Sequence, residues 1–429
     1  MTLATKRGLP RFYEYRERVR AIIGMIEQSP APNPVQLGLL RLLQANDERI
    51  IDAAENDKPL VSIWYGNAPE IFAAMDIVAF CPFDNLKVHL PLTEWRDLEA
   101  ADKHPLPADV CSLIRMSAYA VEAGLLPTPT AMVAMTTPCD AQPALHEMWK
   151  NVDEWRDVPT FVLDPSYSTS ASDFSYFAGE LKRMIQFLEQ QTGKKMDLSR
   201  LRQVIEESNL QYEIMAELNE CRRAKPCPYP SFMPSEVTWG ITQHLRSGDT
   251  EGTTVLRMLQ GFGEQQVKAK QGAVPKENIR ILWADLVPVY YEEFGAWLAE
   301  KWGAVVVQDF QGDSPYEPID TSTEESMLLG LAKRSLHESP MIRQARGYAD
   351  VMVSDITRIV KDYKIDCVFF PGHMGHKDQS ASVHIIKETC RSLKVPLFAF
   401  TSSNFDPRYT PMDVLKTKVS EFFEATGLV

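Results

Sequence analysis

No stretch of the 429-residue chain offers about 18 consecutive apolar residues, which excludes a membrane-spanning helix. The opening run, MTLATKRGLPRFYEYRERVR, has no apolar signal core, so no export is expected and the cytoplasm is the expected location. Dense Lys/Arg blocks are also missing and the formal charge is −13, a balance that argues against nucleic acid as a partner while leaving room for a local basic pocket. No internal repeat or low-complexity tract interrupts the chain. The phosphate loop GxxxxGK[ST], a GxGxxG after a strand, the nucleophile elbow GxSxG and the zinc motif HExxH are all absent. Any ATP energy its reaction needs must therefore come from another protein. Cysteine is sparse and odd in number, seven residues without a tight CxxC pair, which speaks for reduced thiols rather than a disulfide scaffold.

What is present is ordinary globular material, 45% hydrophobic and 24% charged, enough for sizeable cores. The length fits two to three domains of about 150 residues each. Residues 1–57 read as a helical segment, with apolar positions at spacings of three and four. Residues 58–170 alternate strand and helix. PLVSIWY (59–65) is a strand broken at Gly66-Asn67, and APEIFAAMDI is a helix with Pro69 near its start. TAMVAMT (130–136) and TFVL (160–163) are further strands. Residues 171–275 are long amphipathic helices around the Pro-rich loop Lys225–Pro230, a helical linking region. The α/β rhythm returns over 276–429, with strands predicted at 279–285, 304–310, 365–371 and 395–401 and a helix ending at Gly303. This pattern predicts an α/β protein with two parallel-sheet domains.

In such sheets, ligands bind beyond the carboxyl ends of the strands, where the following helices also point their free N–H groups. Cys139 lies there, after TAMVAMT and at the start of a helix, with Asp140 as a possible N-cap. Cys111 precedes a second helix, with Asp109 as its plausible cap. For each thiol a core role competes with a metal-ligand role. The loop GHMGHKDQSA (372–381) gathers His373, His376, Lys377, Asp378 and Ser380. The histidines suit ligation or acid–base work, against a capping loop with Asp378 or Ser380 as N-cap. Cys367 and Cys390 read as core, Cys81 as more suited to core than site, and Cys221 and Cys227 as incidental. Glu70 opens the first α/β helix, where capping competes with function.

The order and spacing of GNAPEIFAAMD, DVCSLIRMSAY, MTTPCDAQPALHEMW, the 174–208 helices, YYEEFGAWLAEKWGAVVV, DCVFFPGHMGHKDQSASVHIIKETCRSLKVPLFAF and FDPRYTP make the chain similar to a known family from about residue 59 onward. It resembles the 2-hydroxyacyl-CoA dehydratase component D family, and looks closest to the larger of the two homologous non-ATPase subunits of ATP-dependent benzoyl-CoA reductase. The resemblance implies two flavodoxin-like domains with a [4Fe–4S] or larger iron–sulfur cluster between them, held by three cysteines. It implies an acyl-CoA substrate, a homologous second subunit, and a separate ATPase activator with its own [4Fe–4S] cluster, as in anaerobic aromatic degradation. Cys111 and Cys139 match the first two ligands. The third cysteine's position is occupied by His376, and imidazole raises a cluster's potential relative to thiolate. His373 is the expected proton donor, with Glu70 and Ser380 as substrate-binding candidates. The expected activity is low-potential one-electron reduction of an aromatic or unsaturated acyl-CoA. A radical 2-hydroxyacyl-CoA dehydratase subunit and a cluster-free scaffold or CoA-binding subunit are the alternatives.

Overall fold

The computed structural model describes residues 8–429 apart from residues 65, 91–94, 140, 169, 246, 340–341 and 346–348, and apart from the side chains of residues 244, 245, 345 and 378. Two four-stranded, all-parallel sheets carry the fold, as the sequence rhythm predicts. The chain divides into two units. The first comprises Met1–Glu213, Gly240–Met258 and Glu317–Ser339; the second comprises Ile214–Trp239, Leu259–Tyr316 and Pro340–Val429. Among the described residues no helix is long and apolar enough to cross a membrane.

The first unit begins with helices α1 (Leu9–Glu27) and α2 (Pro34–Glu55). Asn33 caps α2 through its side chain, which accepts the N–H groups of Val35 and Gln36, and Pro34 starts the helix where no N–H is needed. Strand β1 (Leu60–Ser62) follows, then α3 (Pro69–Ala74), β2 (Val78–Phe80) and α4 (Pro82–His89). Helices α5 (Arg96–Ala101) and α6 (Ser112–Glu122) lead to β3 (Ala131–Met135). Helices α7 (Ala141–Trp149) and α8 (Asp153–Arg156) lead to β4 (Thr160–Leu163). The sheet order is β2-β1-β3-β4, with Val61 opposite both Ala79 and Ala131. All five β3 residues are buried, which is the burial a central parallel strand requires and explains its unbroken apolar run.

Helices α9 (Ala171–Thr192), α10 (Leu198–Arg222), α11 (Met233–Trp239) and α12 (Thr250–Ala269) form the predicted helical stretch, with a π-helical turn at Gly240–Leu245. Helix α9 starts in a capping box between Ser170 and Asp173 and stops at Gly193, whose φ of +71° suits glycine. The second unit's sheet comprises β5 (Ile279–Trp283), β6 (Ala304–Asp309), β7 (Cys367–Phe370) and β8 (Leu397–Ala399), in order β6-β5-β7-β8. Between β5 and β6 lies α13 (Tyr291–Trp302), which ends at Gly303 as predicted. Helix α14 (Glu324–Lys333) runs into a second π-helical segment, Arg334–Glu338, within the first unit. Helices α15 (Ile342–Ala345), α16 (Ala349–Asp362), α17 (Lys377–Ala381), α18 (Val383–Leu393) and α19 (Met412–Thr426) complete the second. Its core centres on Trp283, met edge-on by Phe294 and Phe400.

Both sheets have the flavodoxin-like strand order. In each, the order reverses between the first and third strands, so the loops after β1 and β3, and after β5 and β7, flank a ligand crevice. Two expectations about helix starts are corrected. Asp109 does not cap α6, which begins one residue after Cys111, so that the cysteine itself is the N-cap. Ser380 does not cap α17, because the chain enters that helix at His376, and the side chain of Asp378 lies outside the described ones. Asp140 lies outside the described residues.

Candidate functional site

Cys111 and Cys139 both belong to the carboxyl edge of the first sheet. Helix α6 precedes β3 in a βα crossover, so its N-terminus stands at the edge where the strands end. It packs against α4 and α7. Cys111 has an extended ψ of 130°, makes no side-chain capping bond and is 4% exposed. Cys139 is half-buried between β3 and α7, and its carbonyl accepts the N–H of Gln142 at 3.2 Å. The remaining thiols differ in kind. Burial lifts Cys81 and Cys367 well above the ordinary thiol range and pushes Cys390 up to about 11, which makes them inert core groups.

The polar side chains of this edge are unusual. Asn67 follows β1, Asn85 lies in α4 after β2, and Gln142 opens α7; all are at most 1% exposed, and among the described residues neither carboxamide atom of any of them has a hydrogen-bond partner. The Thr137 hydroxyl, two residues before Cys139, is also buried and has no hydrogen-bond partner among the described residues. Buried polar groups are nearly always satisfied, so a concentration of unused ones points to a polar occupant. Sequence reading passed over these residues. Asn67 was visible only as half of the Gly66-Asn67 strand break.

Glu70, at the start of α3, is buried and committed to Arg334 of the π-helical segment, whose Nη1 lies 3.2 Å from Glu70 Oε1. The same guanidinium donates to Ser208 Oγ at 2.6 Å and Asn209 Oδ1 at 2.5 Å, and stacks 4.3 Å over the Tyr212 ring. The pair thus anchors the loop that carries Asn67 and the left-handed Ala68, whose φ is +53°. Nearby in the chain, burial lifts Glu338 from 4.5 to about 7, against the opposing pull of Arg334 and Lys333. A carboxyl whose pKa is raised in the folded state holds a proton that the unfolded chain has lost. Its stability contribution is complete below 4.5 and disappears as pH rises through about 7. Glu338→Gln is therefore expected to stabilise the protein by about 2 kcal/mol at pH 8 and to change little at pH 4, as read by urea unfolding at both values.

The second unit's switch point holds the histidine loop. Gly372 starts it at φ +44°, where an added Cβ would meet the Phe400 carbonyl at 3.0 Å. His373 is 1% exposed. Its Nδ1 accepts the Asn404 N–H at 3.0 Å, and burial together with neighbouring His376 pushes its pKa well below the ordinary imidazole value. It is therefore a neutral ring with its proton on Nε2. The His376 ring meets it edge-on at 4.7 Å, and His376 Nδ1 lies 3.4 Å from Oδ1 of fully buried Asp285, in the loop after β5. Ser380 Oγ faces the His373 carbonyl at 3.5 Å. The histidines stood out in sequence. Asp285 was legible only as the acid closing IRILWAD, and Asn404 carried no signal.

An iron–sulfur core is anionic and is tuned by hydrogen bonds to its sulfurs. Two thiols at helix starts and buried carboxamides with unused N–H groups suit such a core. Where the resemblance expects a third cysteine the chain has the imidazole of His376, and among the described residues no three His, Cys, Asp or Glu side chains form a group that could hold a metal ion.

Two four-stranded parallel sheets, each with flavodoxin-like strand order, define an α/β protein of two parallel-sheet units. The chain belongs to the family described as 2-hydroxyglutaryl-CoA dehydratase, D-component, whose profile matches residues 66–426. No curated protein matches the chain.

Proposed function

We propose that the chain is the iron–sulfur subunit of a cytoplasmic, ATP-dependent enzyme of the benzoyl-CoA reductase type, acting on an aromatic or unsaturated acyl-CoA. Cys111 and Cys139 serve as thiolate ligands and His376 as the third ligand of a [4Fe–4S] or larger cluster. When bound, that cluster supplies one-electron chemistry at low potential. A homologous second subunit completes the enzyme, and a separate ATPase with its own [4Fe–4S] cluster provides the electron.

The observation that carries this reading is the pair of thiols beside the neighbouring helices α6 and α7, on a sheet edge where the amides of Asn67, Asn85 and Gln142 have no hydrogen-bond partner among the described residues. Backbone donors at a helix start favour thiolate over thiol. The carboxamides can donate to an anionic occupant and help keep water out. His373 offers an Nε2–H as a neutral hydrogen-bond donor, in keeping with a role near the substrate. Ser380 and Glu70 stand as binding and positioning groups.

A radical 2-hydroxyacyl-CoA dehydratase subunit is the second reading, favoured by the description of the matching family. Product analysis with benzoyl-CoA against a 2-hydroxyacyl-CoA separates the two. The cluster itself is tested by iron and sulfide analysis of the anaerobically purified chain. Equal, stoichiometric iron and sulfide are expected. Substoichiometric iron that is unchanged in Cys139→Ala would defeat the proposal and leave a cluster-free scaffold or CoA-binding subunit.

A further inference from the structure

Beside β2, the outer strand of the first unit's sheet, lies a cavity of about 170 Å³ bounded by α2, α3, the start of α10 and the turn before α12. Ile63, Phe72 and Val204 give it an apolar floor. Its polar wall is rich in donors. Asn46 on α2 is 4% exposed and Ser247 is 7% exposed, and neither Asn46 Nδ2 nor Ser247 Oγ has a hydrogen-bond partner among the described residues. Both groups can donate, and buried donors are seldom left unanswered. Arg49 and Arg200 bring guanidinium groups to the same wall. The Arg200 side chain donates only to Gln203 Oε1, at 3.5 Å, among the described residues.

The two carboxylates at the cavity are committed elsewhere. Asp76 turns its side chain to solvent, 91% exposed, and meets Lys194 Nζ at 2.7 Å. Asp249 precedes α12, and its Oδ1 accepts the Glu251 N–H at 2.8 Å. What remains is positive charge with two unanswered donors, the complement of an oxyanion. The wall is also held in place. Fully buried Gln211 donates from Nε2 to the Asp249 carbonyl at 2.9 Å and accepts the Gly248 N–H at 3.0 Å. Gly248, at φ +69°, packs so closely on Val204 that an added Cβ would collide with its side chain and carbonyl. The turn bearing Ser247 is thereby fixed against α10, the helix that bears Arg200, so little ordering is needed on binding.

We infer that this cavity is an oxyanion site for a single phosphate group, bound by Arg49, Arg200, Asn46 Nδ2 and Ser247 Oγ. At about 170 Å³ the space suits one tetrahedral anion and falls short of the roughly 300 Å³ at which pockets for whole organic ligands begin. The phosphate is either the free anion or the end of a ligand whose remainder lies outside. The inference is independent of the cluster reading, since none of the residues assigned to that site lines the cavity.

The test titrates inorganic phosphate into the full chain at constant ionic strength, followed by calorimetry and by phosphorus NMR line width. Saturable binding at one site per chain is expected. Arg200→Gln should weaken it roughly tenfold or more, because a charge-assisted hydrogen bond is lost, and Ser247→Ala about threefold. Arg202→Gln removes the same charge from an exposed position of α10 that does not line the cavity, so it should bind phosphate like the wild type. Tighter binding of a phosphate monoester than of phosphate assigns a larger ligand, and weaker binding assigns the free anion; either order upholds the site. Absence of saturable phosphate binding, undiminished affinity in Arg200→Gln, or an equal loss in Arg202→Gln overturns the inference. Arg200 is exposed, so its variant folds and decides the question even where Ser247→Ala does not fold.

Discussion

Arg334→Met is expected to destabilise the protein by about 4 kcal/mol, the range found when one partner of a buried ion pair is removed. Both side chains of the Arg334–Glu70 pair are at most 3% exposed, so the surviving carboxylate cannot recover hydration. The variant also leaves Ser208 and Asn209 without the guanidinium donor and strips the cation from the Tyr212 face. Glu70→Gln should cost less, because a neutral amide can still accept one bond from Arg334. The double variant Arg334→Met/Glu70→Gln should recover about half of the loss, since it removes the uncompensated charge. Chemical denaturation of the four proteins checks this, and strict additivity would show that the pair is not coupled. The consequence for activity is indirect: the Glu70 anchor holds the loop bearing Asn67, so the loosened loop should lower ligand affinity before it alters the chemistry.

The elements that could be read from sequence are those whose cause is local. The strands at 130–136, 160–163 and 304–310 are long apolar runs bounded by Pro, Gly or Asp, and the structure places β3, β4 and β6 within one residue of them. The run at 59–65 yielded only a three-residue strand, because β1 pairs over Leu60–Ser62 and the chain then leaves the sheet. Strand β2 is equally short, and three residues are too few to show an alternation. The helix start at 112 was misplaced because Asp109 has the better intrinsic capping chemistry, whereas the backbone turns helical only after Cys111. The π-helical segments have no local motif at all. Their turns follow from packing, with Arg334 drawn to partners 125 to 264 positions away in the chain.

The candidate sites divide in the same way. Strand ends and helix starts are sequence features, so Cys139, His373 and His376 could be singled out by position alone. What each side chain faces depends on distant loops. Asp285 lies 91 residues before His376, and Asn404 lies 31 after His373. Nothing near the histidines announces either partner. Unpartnered amides are harder still, since Asn67, Asn85 and Gln142 become conspicuous only when burial and bonding are known together.

Cys111→Ala and Cys139→Ala are each expected to reduce bound iron by roughly tenfold or more, because loss of one thiolate removes both a bond and the charge that balances the metal. A core role would give a different outcome. Deleting a buried sulfur leaves a small cavity and costs about 1 kcal/mol, with no change in iron. Cys367→Ala and Cys390→Ala provide that comparison in the same chain, since burial keeps both thiols protonated and neither follows a strand end. The discriminating pattern is thus iron loss without unfolding for Cys111 and Cys139, and reduced stability with normal iron for the other two. Serine at position 111 sharpens the contrast: it preserves volume and a polar atom but is a poor thiolate substitute, so iron should still fall. Iron retained in Cys111→Ser and Cys111→Ala alike would return that residue to the core, and the chemistry would then have to be sought on Cys139 and the histidine loop.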